Sequence, residues 1–409
     1  MSETHLGTVI IGAGHAGGTA AAFLRQFGYA APITLIGDEP LAPYQRPPLS
    51  KAWLKGEADA DSLALRPTAF YAEAGIDLIL GVTATAIDRA ARTVALSDGR
   101  SVPYQTLIIA TGARARTLPI PGADLGGVLT LRSAADAEAL KALLGPGKRL
   151  AVIGGGYIGL EAAASALALG GSAVVLEREA RILARVSCPE ISDFFTAYHR
   201  ARGVDFEVGA MVEALVGQND HVAGVRLAGG RVIPCDVALV GVGAPPNEEI
   251  AKAAGLDCDA GILVDEHARA SDAAIFAIGD VTQRPLVHYG RSFRLESVAN
   301  ALEQARQAAS VITGRPAPAH EVTWNWSDQY DLKYQFAGMP FDVDSRLVRG
   351  DVAGAKFAVF HLKGDVIQAV EAVNAPAEFM MGKRLIGERR PISRERLADS
   401  AISMKEVAA

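Results

Sequence analysis

Two copies of one phosphate-gripping loop constrain what this chain can fold into. The first reads Thr8-Val-Ile-Ile-Gly-Ala-Gly-His-Ala-Gly17, and the second Leu150-Ala-Val-Ile-Gly-Gly-Gly-Tyr-Ile-Gly159. Each is a short apolar strand followed by G-x-G-x-x-G: Gly12, Gly14 and Gly17, then Gly154, Gly156 and Gly159. In such a loop the first glycine permits a tight turn and the second lets the backbone approach a pyrophosphate. The third lets the helix pack closely on the strand. The pyrophosphate then meets free N–H groups and the positive end of the helix dipole. A single loop of this kind is weak evidence. Two in register imply two dinucleotides, with electrons passing between them.

The chain has 409 residues, too many for one ordinary core, so two or three domains are expected. Half of the residues are hydrophobic, which suits a large buried α/β core. The net charge of −6, from 40 basic and 46 acidic residues, argues against general nucleic-acid binding. A local basic docking patch is still compatible with it. No apolar run approaches the ~20 residues of a membrane span. The N-terminus shows no basic region followed by a long apolar stretch, so a cytoplasmic enzyme is expected.

The first unit opens with a strand at 8–11, a helix from about Gly14 to Phe27 and a strand at 33–36. The segment Pro43-Tyr-Gln-Arg-Pro-Pro-Leu-Ser-Lys51 follows, and its prolines favour a stiff, extended run. Helix is expected to resume near Ser50. Strands at 76–80, 93–96 and 106–110 come next. The Pro-rich crossing Leu118-Pro-Ile-Pro-Gly122 marks a boundary. The second unit repeats the pattern: strand 150–153, helix 157–169, strand 173–176 and strand 237–240. A further strand at 275–278 ends in Gly279-Asp280, and a helix is expected over 298–313. From about Glu321 the texture changes, with strand-like runs at 346–349, 355–362 and 366–373. The fold class is therefore α/β, with two Rossmann-like domains and a C-terminal α+β domain. The expected boundaries are 1–114 with 245–320, then 115–244, then 321–409.

Asp38 closes the second strand and is placed to bind the adenosine ribose of the first dinucleotide, with Glu39 as the neighbouring option. Asp280, at the end of a later strand, can accept hydrogen bonds from cofactor hydroxyls. Glu177 falls near the ~20 residues expected between a glycine loop and its ribose-binding acid. A carboxylate there accepts from a 2′-hydroxyl and repels a 2′-phosphate, so NADH is favoured over NADPH. Arg178 is the counter-argument, because a guanidinium can serve a phosphate. The only cysteines are Cys188, Cys235 and Cys258, and none forms C-x-x-C. Residues 38–58 contain none, which argues against thiol relay chemistry. No metal site is expected.

Several stretches together resemble the NADH-dependent ferredoxin reductases, single-FAD proteins that feed [2Fe–2S] ferredoxins of cytochrome P450 and aromatic-ring oxygenase systems. They are Gly12–Gly17, Arg46-Pro-Pro-Leu-Ser-Lys51, Ala110-Thr-Gly112, Gly154-Gly-Gly-Tyr-Ile-Gly-Leu-Glu161 and Ile278-Gly-Asp280. Two more are Glu296-Ser-Val-Ala-Asn-Ala-Leu-Glu-Gln-Ala305 and Trp324-Asn-Trp-Ser-Asp-Gln-Tyr330. The glycine loops are shared by every glutathione-reductase-like flavoprotein, whereas the other pieces are narrower.

The resemblance implies a resident FAD on Ala16 in the first loop, with Asp38 near its ribose. Lys51, Ala84, Arg132, Asp280 and Val298 line the rest. It implies that Lys51 pairs with Glu161 beside the isoalloxazine. It puts a visiting NADH on Gly154, Gly156, Ile158, Gly159, Glu177 and Gly243. Arg66, Arg306 and Trp326 become candidates for docking an acidic ferredoxin, although solvated arginines and a core tryptophan explain them equally well. His15 reads as a loop residue, not a catalyst. The mechanism implied is hydride transfer from NADH to FAD, then single-electron transfer to two ferredoxins in turn. The open alternatives are another acceptor (rubredoxin, a quinone, monodehydroascorbate) or an NADH-sensing flavoprotein that acts as a binding module.

Overall fold

The computed structural model describes residues 6–408. The chain divides into two compact units. One is Met1–Gln45, Ala60–Arg114 and Pro245–Thr323; the other is Arg46–Asp59, Ala115–Ala244 and Trp324–Ala409.

The first unit is built on a five-stranded parallel sheet in the order Ile275–Ala277, Thr106–Ile109, Thr8–Ile11, Ile33–Gly37, Ile76–Leu80. Thr8–Ile11 is central and buried along its whole length. An unbroken apolar run is what a strand covered on both faces requires. On one face the first-loop helix His15–Gln26 packs against helix Val298–Ile312. Their contact is lined by small residues, Ala16, Ala20 and Ala21 against Ala301, Ala305 and Ala308, so the helices lie close. On the other face Ile87, Val94 and Leu96 cover the sheet. They come from the antiparallel sheet Ala84–Asp88, Thr93–Leu96, Ser101–Pro103.

The second unit repeats the parallel sheet, in the order Val204–Val208, Ser172–Glu177, Arg149–Ile153, Val237–Val240, Val128–Leu129. Its second-loop helix, Tyr157–Ala168, follows the central strand. The same unit holds an antiparallel sheet ordered Trp324–Gln329, Leu332–Gly338, Val366–Val373, Lys356–Lys363, Ser345–Asp351. Helix Pro376–Glu388 belongs to this part of the chain and packs Phe379 against Trp324.

One sequence expectation fails locally. No α-helix resumes at Ser50. Pro47–Ser50 is a single 3₁₀ turn, and the backbone leaves helical geometry at Lys51 (φ −125°, ψ −107°). The Ser50 side chain is spent on a distant carboxylate, described below, and caps no helix.

Candidate active site

Both glycine loops carry the steric signature of a pyrophosphate cradle. Gly12 has φ +110°, and a Cβ there would lie 2.2 Å from the Ala110 carbonyl oxygen. A Cβ on Gly17 would lie 1.9 Å from the Gly12 carbonyl oxygen. Those two glycines are demanded by the fold itself. Gly14 differs: a Cβ there meets no protein atom within 4 Å. The second loop behaves identically. Gly154 (φ +110°) abuts the Gly241 carbonyl at 2.3 Å, Gly159 abuts the Gly154 carbonyl at 2.4 Å, and Gly156 faces open space.

The helix that follows each loop starts without a side-chain cap and without an acid in its first turn. By contrast Ala134–Leu143 is capped by Ser133 and Val298–Ile312 by Ser297. Each loop thus joins uncapped helix N–H groups to an open middle glycine, a combination that suits an anionic diphosphate. In the first loop His15 adds a buried Nδ1 that has no hydrogen-bond partner among the described residues. Burial pushes its imidazole below the ordinary value, against the nearby Asp280 carboxylate, which raises it. Gly279 sits tightly on this loop, since a Cβ there would lie 2.9 Å from the Ala16 Cβ. The residues of the first unit thus fit FAD: the loop, Ala16 and Asp280 converge, and Val298 opens the helix packed beside them. Asp38 is exposed at the end of its strand, and its Oδ1 accepts from the Glu39 N–H at 3.1 Å. Glu39 is engaged otherwise, accepting from the Tyr44 hydroxyl at 2.6 Å. Ala84 starts a strand of the neighbouring antiparallel sheet.

In the second unit Glu177 ends its strand beside the loop. Its carboxylate accepts from the Gly155 N–H at 2.7 Å and from the Glu179 N–H at 2.8 Å. The acid expected to bind a ribose also holds the glycine loop in shape. Arg178 points to Glu179 at 3.0 Å, so the guanidinium that argued for a 2′-phosphate is already paired. Ile158 is an exposed apolar side chain (46%) on the first turn of the helix, available to a ligand. Gly243 lies after the strand Val237–Val240, with φ +120°, and its carbonyl accepts from the Arg116 N–H at 3.0 Å.

Glu161 is the hub of the second unit. It is 4% exposed, one helical turn beyond Tyr157. Lys51 Nζ lies 2.8 Å from Oε2, and the Ser50 hydroxyl donates to the same oxygen at 2.5 Å. The Ser327 hydroxyl donates to Oε1 at 2.6 Å. Ser165 in turn donates to the Ser50 carbonyl at 2.8 Å. A buried carboxylate is tolerable only with such a set of charge-assisted partners. The pairing of Lys51 with Glu161 is present. Ser50 and Ser327 are the members that sequence reading missed; both lay inside motifs already singled out, which was the available signal. Arg132 is fixed through its backbone, its carbonyl accepting from Arg46 Nη1 at 2.6 Å.

The three docking candidates are diverse. Arg66 is exposed and lies over the Phe70 ring at 6.0 Å. Arg306 is exposed on helix Val298–Ile312. Trp326 is half-buried and packs against Trp324 with ring centroids 5.6 Å apart. The thiols are not activated. Burial raises Cys188 well above the ordinary value, Cys235 to about 11, and Cys258 in the same direction.

Residues 7–305 match the family model described as pyridine nucleotide-disulphide oxidoreductase, and residues 324–408 match the one described as reductase C-terminal. The chain belongs to the pyridine nucleotide-disulphide oxidoreductase family. Within it the chain is 51% identical over 401 residues to a probable ferredoxin reductase, CtmF, of Castellaniella defragrans, covering 98% of each. It is 41% identical to putidaredoxin reductase CamA of Pseudomonas putida, over 98% of this chain and 96% of the relative. Among solved structures, the covalent putidaredoxin reductase–putidaredoxin complex superposes with a TM-score of 0.96 at 40% identity, covering 99% of this chain and 98% of that one. The resemblance read from the motifs therefore extends over the whole length, and the fold class with it. Among the described residues no helix is long and apolar enough to cross a membrane. The family implies FAD and a nicotinamide dinucleotide, and the two open loops fit both.

Proposed function

We propose that this protein is an FAD-dependent NADH:ferredoxin reductase, taking electrons from NADH and delivering them singly to a [2Fe–2S] ferredoxin of a cytochrome P450 or ring-hydroxylating oxygenase system. One observation carries the reading. The chain holds two open, uncapped glycine loops and matches ferredoxin reductases from end to end. When bound, FAD supplies the conversion of a two-electron donor into two one-electron deliveries.

The chain's own residues have the following parts. Gly12, Gly14, Ala16 and Gly17 hold FAD tightly through its diphosphate, while Asp38, Asp280, Val298, Ala84 and Arg132 bind its remaining length. Lys51 and Glu161 are the charged pair of the flavin's surroundings. A lysine held by a buried carboxylate is a fixed positive charge, which favours electron density near it. Gly154, Gly156, Ile158, Gly159 and Gly243 bind NADH. Glu177 accepts from its ribose hydroxyls and disfavours a 2′-phosphate, which supports NADH over NADPH. Arg66, Arg306 and Trp326 belong to the ferredoxin-docking face. Docking is steered by charge and weakens with salt. In terms of domains, 1–114 with 245–320 bind FAD, 115–244 bind NADH and 321–409 form the C-terminal domain. The protein works in the cytoplasm.

The direct test uses purified protein. It carries flavin as isolated, NADH bleaches that flavin rapidly, and a [2Fe–2S] ferredoxin from the same genome is turned over. Bleaching without turnover of any such ferredoxin overturns the acceptor. A rubredoxin-NAD(+) reductase of Pseudomonas putida is 39% identical, so rubredoxin belongs among the acceptors compared.

A further inference from the structure

Glu371 is 1% exposed, in the strand Val366–Val373, whose neighbours Ile367, Ala369, Val370, Ala372 and Val373 are apolar and buried. A carboxylate in such surroundings is costly unless every oxygen is satisfied. Here it is. Oε1 accepts from the Cys188 N–H at 3.0 Å and lies 2.8 Å from His361 Nε2. Oε2 accepts from the Tyr334 hydroxyl at 2.6 Å.

That last bond sets the direction of a longer chain. Tyr334 has one hydroxyl hydrogen and gives it to Glu371, so its oxygen can only accept from Ser187 Oγ, 3.0 Å away. Ser187, having donated, accepts from Tyr157, whose hydroxyl lies 3.0 Å from the Ser187 oxygen. The Tyr157 hydroxyl also lies 3.3 Å from the Val186 carbonyl and 3.4 Å from the Tyr334 oxygen. The rings of Tyr157 and Tyr334 are in contact, with centroids 5.7 Å apart. Hydrogen bonds aligned toward one charge reinforce each other. The ligand atoms of Cys188, His361 and Glu371 lie within 4.8 Å of one another, and with the Cys188 N–H, His361 and Tyr334 all on its oxygens the Glu371 carboxylate anchors the chain.

Tyr157 is the first residue of the second-loop helix, directly after Gly156. We propose that Glu371, Tyr334 and Ser187 are positioning residues for the nicotinamide loop: they lock Tyr157 in one orientation, so that the dinucleotide meets a preset surface. This rests on the assignment of the second loop to NADH. None of the three residues belongs to a glycine-loop motif, and two of them come from the C-terminal sheet. Preorganisation of this kind lowers the ordering needed on binding.

The test is equilibrium titration of the flavin-loaded enzyme with NAD⁺, together with the KM for NADH and for ferredoxin. Y334F and Y157F each delete one oxygen and keep the ring. Each is expected to raise the NAD⁺ Kd and the NADH KM about 3- to 10-fold, the scale of one lost hydrogen bond, with the ferredoxin KM unchanged. E371Q is expected to shift them in the same direction. Because the residues act in series, the Y157F/Y334F double variant is expected to match the worse single variant. A merely structural role lowers Tm while leaving the NAD⁺ Kd within 2-fold of wild type, and that result overturns the proposal. Fully multiplicative effects in the double variant overturn it too. If the wild-type enzyme itself fails to bind NAD⁺, the assignment of the loop falls and this proposal with it. If the wild type binds and the variants match it, only this proposal falls.

Discussion

Ser327 donates to Glu161 Oε1 at 2.6 Å, while Lys51 approaches Oε2 of the same carboxylate at 2.8 Å from another part of the chain. Three distant segments, the Pro-Pro turn, the second-loop helix and the Trp324–Gln329 strand, therefore meet on one buried charge. Removing Lys51 leaves that charge with only neutral hydroxyl partners. K51M is expected to destabilise the fold by on the order of 3 kcal/mol, as for breaking a buried ion pair. S327A is expected to cost about 1–2 kcal/mol for the lost donor. Urea unfolding of the two variants against wild type measures both. Equal midpoints would mean that the pair is solvated in solution.

The glycines of the first loop separate fold from ligand. G14V adds a side chain into open space, so the folded state is expected to survive, with Tm within about 2 °C of flavin-stripped wild type. The flavin content of the isolated protein is expected to drop severalfold, because the side chain fills the diphosphate's place. G17V is expected to prevent folding, since its Cβ would overlap the Gly12 carbonyl oxygen, 1.9 Å away. Absorbance at the flavin band and circular dichroism report the two effects separately.

Glu177 has two duties, the ribose and the Gly155 N–H. E177S is expected to narrow the NADH-over-NADPH ratio of kcat/KM at least tenfold, about 1.4 kcal/mol. It is also expected to raise the NADH KM through the loosened loop. Steady-state kinetics with both nucleotides check this, and an unchanged ratio would assign the preference to another residue.

Local pattern made most of the fold legible. Residues 9–11 and 150–153 are unbroken apolar runs ending in glycine loops, the pattern of a parallel strand covered on both faces. The helix expected near Ser50 was misread because the segment's conformation is set from far away. Ser50 bonds Glu161, 111 residues on, and Ser165 holds its carbonyl. Tyr334 and Glu371 were invisible for the same reason. On their own strands they read as a core aromatic and a solvated acid; sheet register brings the two together, and the segment before helix Pro189–Arg200 brings Ser187 to them. The hairpin Trp324–Gln329 with Leu332–Gly338 was missed because its turn, Tyr330-Asp331, holds neither glycine nor proline.

His199 gives the acid limb of stability. It is fully buried, its Nε2 lies 2.7 Å from Gln329 Oε1, and its Nδ1 lies 3.2 Å from the Tyr330 hydroxyl. Burial pushes the imidazole down to about 4 from an ordinary 6.5. The unfolded chain therefore binds this proton more readily than the folded one. The stabilisation is complete above pH 6.5 and is lost as pH falls from 6.5 toward 4, by up to about 3 kcal/mol. Urea midpoints at pH 7.5 and 4.5 measure the loss. H199F is expected to flatten the difference, and an equally steep fall in that variant would place the titration elsewhere.

The most direct measurement is an anaerobic titration of the flavin-loaded enzyme with NADH in the presence of a [2Fe–2S] ferredoxin from the same genome, followed by the visible spectra of flavin and cluster. The expected result is about two ferredoxins reduced per NADH oxidised, at a rate that falls as salt is raised. Full flavin bleaching by NADH with the ferredoxin left oxidised would contradict the assignment.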